Sequence, residues 1–220
     1  MTSAEAAQAI MRALEADIVL GRLHPRERLV EDQLVARFDA KRHVVRQALA
    51  ELDAVGLVKR APARGAAVSE LDAEAVEQLY AMREIVEGQA ARMIPLPVDA
   101  ETRARIGALC EAYARAVEAE DPTGVIAANK AFHHAVYRLC GNRYLADTVD
   151  LMAQKANLVR FSNSADPGHL RRAAAEHRGI LAALEGDDPE RLAALCLAHI
   201  QPARRAYLER LARLVPKETA

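Results

Sequence analysis

The sequence lacks the features that define several protein classes. No apolar run approaches the ~18 residues of a membrane-spanning helix, and no secretory signal is present, so we expect a cytoplasmic protein without a membrane span. The cysteines are an odd number without metal-type spacing, and we expect them to be reduced and buried: Cys110, Cys140 and Cys196. With 30 basic and 31 acidic residues, the chain has no overall charge that would attract nucleic acid.

Residues 29–68 have the pattern of a winged helix-turn-helix. Apolar residues at steps of three to five predict a first short helix: Leu29, Leu34, Val35 and Phe38. After a turn at 39–41, a second apolar stripe predicts the next helix: Val44, Val45, Ala48, Leu49 and Leu52. Gly56 follows at a position that tolerates a left-handed backbone. Segments 57–60 and 66–69 then predict a small hairpin with Arg64 and Gly65 at its tip.

The polar face of the second predicted helix is basic. It carries Lys41, Arg42, His43, Arg46 and Gln47. Between residues 41 and 65, six basic side chains stand against two acidic ones, a local balance of +4. Such a focused patch suits a phosphate backbone, because each neutralised phosphate releases counterions. An isolated charge cluster would favour a solvated helix face, but beside a helix, a turn and a wing this pattern predicts DNA binding.

These residues resemble the amino-terminal domain of the GntR family of bacterial transcription regulators. The resemblance covers roughly residues 10–70, and the matching positions are 21–29, Arg42, 45–49, 56–58, Arg64, Gly65 and Val68. It implies that Arg42 and Arg46 contact DNA from the recognition helix. It also implies that the wing tip at Arg64 and Gly65 enters the minor groove.

Some positions depart from the family pattern. Lys41 replaces a hydroxyl residue, which removes a side-chain helix cap but still offers a charge to a phosphate. His43, Val44 and Gln47 also differ from the usual residues where bases are read. We therefore expect an operator unlike the family's commonest one.

From Asp72 onward the pattern is helical throughout. Breaks at turns delimit six helices, at about 72–94, 99–120, 122–140, 143–163, 168–186 and 189–214. Helices of this length with short links predict an antiparallel bundle. The predicted fold class is mainly α, with a winged helix-turn-helix DNA-binding domain over residues 1–70 and an all-α six-helix bundle over 72–215.

Three histidines occupy the middle of inward-facing stripes on three different predicted helices: His133, His177 and His199. Asn129 lies one turn before His133 on the same face. A single buried imidazole needs only a hydroxyl or carbonyl partner and would be an ordinary core residue. Three together are costly to bury unless they share a partner, and a divalent metal is the simplest one. Of the other bundle histidines, His134 points to another face and is expected to be structural or exposed, and His169 is expected in a surface loop.

This part of the chain resembles the FCD effector domain of the FadR-type GntR regulators. The resemblance covers about residues 75–210, through segments 79–87, 129–134, 141–145, 176–177 and 199–200, and six helices are similar to the VanR-type subgroup. It implies a divalent metal, such as Zn, Ni or Mn, held by histidines that match His133, His177 and His199. The family's usual aspartate is Asn129 here, whose amide oxygen can coordinate a metal without adding negative charge.

A site without that aspartate has a stronger need for an anionic ligand. We therefore expect a small carboxylate effector whose binding and that of the metal strengthen each other reciprocally. Arg83 lies on the apolar stripe of the first bundle helix, where it either clamps the effector carboxylate or pairs with Glu87 four residues later.

Taken together, the sequence predicts a homodimeric, effector-responsive transcription regulator and not an enzyme. Helix-turn-helix dimers read two half-sites, so the operator is expected to be palindromic double-stranded DNA. Two alternatives remain: a metal-dependent hydrolase and a DNA-binding protein that responds to no effector. A hydrolase needs a carboxylate general base, and the nearest one, Glu176, is expected to point away from the histidines. A buried polar cluster argues against a purely architectural role.

Overall fold

The computed structural model describes residues 2–61, 65–160 and 167–214. The chain divides into two compact units, one up to Asp72 and one from Ala73 onward. Among the described residues, no helix is both long and apolar enough to cross a membrane. The chain is mainly helical, as predicted, and its one described sheet lies in the first unit.

In the first unit, the part of the chain that the structure describes forms three helices and three short strands. In chain order they are α1 (Ser3–Val19), β1 (Arg28–Leu29), α2 (Glu31–Phe38), α3 (Arg42–Ala54), β2 (Val58–Ala61) and β3 (Gly65–Val68). The α3 helix packs against α1 and α2 through the predicted apolar stripe, whose five residues are all buried. It ends at Ala54, and Gly56 follows two residues later with φ at +82°, as expected, while Leu57 N–H donates to the carbonyl of Leu52.

One residue of the first predicted helix belongs to a strand instead. Leu29 is buried in β1, which pairs with β3 through Leu29 and Ala66, so α2 begins only at Glu31. The sheet therefore has three strands in the order β1-β3-β2, not the two of the predicted hairpin. The spacing of apolar residues could not decide whether Leu29 belongs to a strand or a helix, because a single apolar residue before a helix fits the periodicity of both.

The described residues of the second unit form six long helices and one short one. They are α4 (Ala73–Arg92), α5 (Ala100–Glu118), α6 (Pro122–Arg138), α7 (Arg143–Lys155), α8 (Asn157–Arg160), α9 (Pro167–Ala183) and α10 (Pro189–Leu214). Five of the six predicted helices correspond to single helices. The fourth, predicted over 143–163, is interrupted at Ala156, and its last three residues lie outside the described part of the chain. No proline or glycine marks this break, so the sequence pattern gave no sign of it.

The core of the second unit lies between helices that are adjacent in sequence and helices that are distant in sequence. The closest packing joins α4 with α10, and α5 with both α6 and α9. All three cysteines are free and buried, as expected. This arrangement brings the middles of α6, α9 and α10 together, which is where the three histidines lie.

Candidate functional site

The exposed face of α3 presents the residues predicted to bind DNA. Lys41, Arg42, His43 and Arg46 are all exposed, while Val44 and Val45 between them are buried. Lys41 stands at the N-cap and makes no side-chain capping hydrogen bond, as its lack of a hydroxyl implies. The imidazole Nε2 of His43 lies 3.3 Å from the hydroxyl of Ser3 on α1. The four side chains thus line one solvent-facing surface at the start of α3.

Both arginines of this surface are paired with acidic residues of α2. Arg46 Nε donates to Glu31 Oε2 at 2.8 Å, and an Arg42 nitrogen lies 3.5 Å from the same oxygen. Arg42 also bonds to Asp32. The two guanidinium groups remain about half exposed, at 52% and 58% of their side-chain surface. The local charge balance counted between residues 41 and 65 missed these acids, because they precede that window in the sequence.

The wing is described only in part. Gly65 is exposed and begins β3 with φ at +80°, in the left-handed region that favours glycine. Arg64, the other residue predicted for the wing tip, lies outside the described residues.

The three predicted histidines meet in the second unit. The Nε2 atom of His133 lies 3.2 Å from Nε2 of His199 and 3.3 Å from Nε2 of His177. One nitrogen from each ring lies within 4.8 Å of the other two. Two nitrogen ligands at ~2.1 Å from one cation are themselves separated by about 3.0–3.4 Å, so the two short separations suit a shared ion.

Burial disfavours the protonated form of two histidines of the cluster. His177 is fully buried, and burial, together with the charge of His199, lowers the pKa of His177 and of His133 well below the ordinary 6.5. Neutral imidazoles have the lone pair that a metal requires. Nδ1 of His177 has no hydrogen-bond partner among the described residues. Among the described residues, one nitrogen of the cluster is thus unsatisfied, and it is the ring nitrogen of His177 other than the Nε2 that contacts His133.

Glu176 does not point away from the histidines, contrary to expectation. Its Oε2 lies 2.7 Å from Nδ1 of His199. Adjacent helix positions do face different directions, but the long Glu176 side chain on α9 reaches sideways to α10. A carboxylate on Nδ1 fixes the proton there and leaves the lone pair on Nε2, the nitrogen that faces His133. Glu176 thus orients His199.

Asn129 is buried one turn before His133, as its spacing predicted. Its Nδ2 has no hydrogen-bond partner among the described residues. Asn129 lines two small cavities of about 30 Å³ each, one bounded by His199 and the other by His133. An amide with an unsatisfied end, three converging imidazoles and an orienting carboxylate together fit a divalent cation.

Arg83 forms the ion pair with Glu87 that was one of its two predicted roles. Arg83 Nε donates to Glu87 Oε1 at 2.7 Å, and both side chains are at least 98% buried. Burial lowers the pKa of Arg83, but the Glu87 carboxylate more than offsets it, and the net shift is upward. The hydroxyl of Tyr137 donates to the other carboxylate oxygen at 2.8 Å. Arg83 also lines the cavity beside His199, so its position agrees with the other predicted role, a contact with the effector carboxylate.

Sequence reasoning missed several residues around this cavity. Tyr80, Tyr113 and Arg160 line it beside His199. His169, expected in a surface loop, lies in the first turn of α9 and lines it as well. His134, in contrast, is exposed as expected and pairs with Asp150. Tyr80 has the helical spacing of Arg83 and could have been found on the same stripe, whereas nothing in the sequence indicates that the α7–α8 break brings Arg160 to the cavity.

Comparison with known proteins relates both units to described families. Residues 6–68 match the model of bacterial regulatory proteins of the gntR family, and residues 78–202 match the FCD domain. An uncharacterized HTH-type transcriptional regulator, YdhC from Bacillus subtilis, is 25% identical over 84% of this chain and 84% of its own. A probable D-xylose utilization operon transcriptional repressor from Paenarthrobacter nicotinovorans is 28% identical over 90% of this chain and 87% of its own.

The fold agrees with that of a solved relative. The structure of E. coli McbR/YncC superposes with a TM-score of 0.75 at 22% identity, over 97% of this chain and 99% of that one. The family model for the FCD domain alone spans more than half of the chain, and the matched relatives are regulators, not enzymes. The chain belongs to the GntR family of bacterial transcription regulators, with an N-terminal helix-turn-helix domain that binds DNA and a C-terminal FCD domain for a small-molecule effector.

Proposed function

We propose that this protein is a homodimeric transcriptional repressor whose operator binding is controlled by a small organic acid bound beside a divalent metal. One observation carries the proposal: imidazoles from α6, α9 and α10, two of them buried and that of His199 partly exposed, direct nitrogen atoms at one another, with His133 Nε2 at 3.2 and 3.3 Å from the other two. A DNA-binding protein that responds to no ligand would not need such a cluster, which is costly to bury.

The DNA-contacting residues are proposed on α3 and the wing. The exposed side chains of Lys41, Arg42, His43 and Arg46 support a recognition surface, with Arg64 and Gly65 as the wing tip. In this proposal the arginines exchange their pairs with Glu31 and Asp32 for bases and phosphates. Repression, as opposed to activation, is proposed from the name of the Paenarthrobacter relative.

The metal site is proposed on His133, His177 and His199, with the amide oxygen of Asn129 as a fourth ligand. Zn²⁺, Ni²⁺ and Mn²⁺ are the candidate ions, since imidazole and amide ligands suit each of them. When bound, such an ion supplies positive charge that attracts an anion into the adjoining cavity. Glu176 holds the His199 ring in the orientation that the site requires.

The effector is proposed to occupy the cavity beside His199. That cavity is lined by cationic and hydroxyl groups, among them Arg83, Tyr80 and Tyr113, which supports an anionic ligand. With Asn129 in place of an aspartate, the effector is the main source of negative charge for the ion. Metal and acid should therefore raise each other's affinity by the same factor.

Homodimer formation is supported by exposed apolar side chains on two helices that pack together. Met82 and Ile85 are exposed on α4, Met93 is exposed directly after its end, and Tyr144 and Leu151 are exposed on α7. Side chains of this kind on one surface typically mark an association site. A two-fold dimer implies a palindromic operator, and DNA as the target implies a cytoplasmic protein.

The two domains are proposed to communicate through the link at residues 70–72, which joins residues 1–70 to residues 72–215. A mobility-shift assay on DNA upstream of the protein's own gene tests the proposal. The metal-loaded protein should bind, and a metabolite extract fractionated for organic acids should change the binding. No binding to this DNA or to any selected duplex would contradict the function, and binding unaffected by metal and acids would leave only an effector-independent DNA-binding protein.

A further inference from the structure

We propose that Arg160, with the hydroxyl of Tyr80, anchors the carboxylate of a small organic acid in the cavity beside His199. The inference deepens the proposed function, on which it rests, because it names the residues that select the effector's charge. It differs from the sequence-based expectation, which assigned that role to Arg83.

The charge of Arg83 is already balanced. Its guanidinium pairs with Glu87 at 2.7 Å, and both side chains are almost completely buried. The second oxygen of Glu87 accepts the hydroxyl of Tyr137. This group is neutral and internally bonded, so Arg83 contributes little uncompensated charge to the cavity.

Arg160, in contrast, has no carboxylate partner among the described residues that pairs with its guanidinium as Glu87 pairs with that of Arg83. It ends the short helix α8 and lines both cavities, the one beside His199 and the one beside His133. No carboxylate of the described residues forms an ion pair with it, and its principal charged neighbours are Arg83 and Glu87. Burial and Arg83 lower the pKa of Arg160 to about 10, with Glu87 only partly offsetting them. A guanidinium in this position is stabilised by an added anion.

Two further donors around the cavity are unsatisfied. Tyr80 is completely buried, and its hydroxyl has no hydrogen-bond partner among the described residues. The same holds for Nδ2 of Asn129, which is 4% exposed. Buried polar groups are normally bonded, so such groups indicate a missing partner. A guanidinium, a hydroxyl and an amide N–H are all donors, and an ionised carboxylate offers only acceptors.

The size of the cavity limits the ligand. At about 30 Å³ it has room for about two water molecules as it stands. A carboxylate group with a few further atoms fits this space better than a sugar or an aromatic acid. Acetate is therefore a suitable probe, and acetamide is its uncharged counterpart of nearly the same shape.

Calorimetric titration of the full-length protein tests the inference. Zn²⁺ affinity is measured first, without acetate, and acetate and acetamide are then titrated into both metal-stripped and Zn²⁺-loaded protein. The variants are Arg160→Gln and Tyr80→Phe, with Arg178→Gln as a control, because Arg178 is about half exposed and its only described ionic contact, with Glu111, is long at 3.9 Å.

Wild type should bind acetate in preference to acetamide. Arg160→Gln should weaken acetate binding about tenfold or more, as expected for loss of a charged hydrogen-bond partner. Tyr80→Phe should weaken it about threefold without lowering the unfolding temperature of the ligand-free protein, because the hydroxyl has no hydrogen-bond partner among the described residues. Arg178→Gln should match wild type, and Zn²⁺ affinity without acetate should not fall in Arg160→Gln.

Equal acetate affinities of wild type and Arg160→Gln would overturn the inference, as would acetate binding no better than acetamide binding. A fall in the unfolding temperature of Tyr80→Phe would mean that the hydroxyl has a structural role, and it would contradict the assignment of Tyr80 to the carboxylate anchor. Failure of wild type to bind Zn²⁺ is a separate result that contradicts the proposed metal site, because the metal-stripped titrations still test Arg160.

Discussion

Glu176 Oε2 lies 2.7 Å from Nδ1 of His199, and the opposite nitrogen of that ring lies 3.2 Å from Nε2 of His133. The carboxylate therefore sets which nitrogen of His199 carries the proton, and the lone pair faces the other histidines. The two contacts link a partly exposed acid on α9 to the interior of the histidine cluster.

Replacement of that acid should weaken metal binding without removing a ligand. Glu176→Gln keeps the shape of the side chain, but an amide does not fix the His199 proton as a carboxylate does. We expect metal affinity to fall about 10- to 100-fold, measured by competition with a chelator. Glu111→Gln is the control, since Glu111 is an exposed acid of the same domain whose only described ionic contact is the long one with Arg178. Unchanged affinity in Glu176→Gln would show that the contact does not support a metal ligand.

Arg42 and Arg46 should each contribute to specific operator binding. Replacing either with alanine should cost about 1–3 kcal/mol of operator affinity, because a contact to a base edge or phosphate is lost. Fluorescence anisotropy with a labelled operator measures the change. Arg103→Ala serves as the control, because Arg103 is an exposed arginine of the second unit. If both α3 variants bound the operator like wild type, the assignment of the recognition surface would be wrong.

Neutralising Glu31 should have the opposite effect. Glu31 holds Arg46 at 2.8 Å and Arg42 at 3.5 Å, and DNA must compete with these pairs. We expect Glu31→Gln to raise affinity for non-specific DNA about two- to fivefold at low salt, in the range of a surface ion pair. Glu118→Gln makes the same change in net charge in the second unit and should raise affinity little. An equal rise in both variants would mean that only net charge matters.

The metal-stripped protein should become less stable in weak acid. Burial holds the pKa values of His133 and His177 well below 6.5, so the unfolded chain takes up protons that the folded chain does not. The free energy of unfolding is therefore fully present above about pH 6.5 and falls as the pH drops below it. The slope reaches up to about 1.4 kcal/mol per pH unit for each histidine.

Urea denaturation between pH 7.5 and 5 measures this dependence. His177→Gln should show a shallower loss of stability than wild type, because one of the two rings no longer titrates. His24→Gln, at an exposed position, should follow the wild-type curve. Parallel curves for wild type and His177→Gln would contradict the lowered pKa of His177.

The features that were predictable from sequence are those with a local pattern. The α3 helix alternates buried Val44 and Val45 with exposed basic residues within two turns, and the histidines stand in the middle of helical apolar stripes. The apolar face that such a periodicity predicts is also the buried face in the structure, because each helix must bury its apolar side. The exposed basic face of α3 and the histidine cluster could therefore be predicted by residue, and contact of that face with DNA stays a prediction.

The features that were missed depend on tertiary structure. Glu176 reaches His199 from a different helix, and Arg160 lines the cavity from α8, which follows a helix break at Ala156 that no proline or glycine marks. Leu29 was assigned to a helix because strand pairing with Ala66 leaves no periodicity in a two-residue strand. Distances between helices decide such contacts, and sequence spacing within one helix does not report them.

Metal content per chain tests the central claim most directly. Elemental analysis of the purified full-length protein, after equilibration with Zn²⁺, Ni²⁺ or Mn²⁺ and removal of loosely bound ions, is compared between wild type and His133→Gln. The account predicts about one tightly bound ion per wild-type chain for at least one of these metals and little in the variant, because His133 lies within 3.3 Å of both other imidazoles. Equal metal content in the two proteins, or none in either, would contradict it.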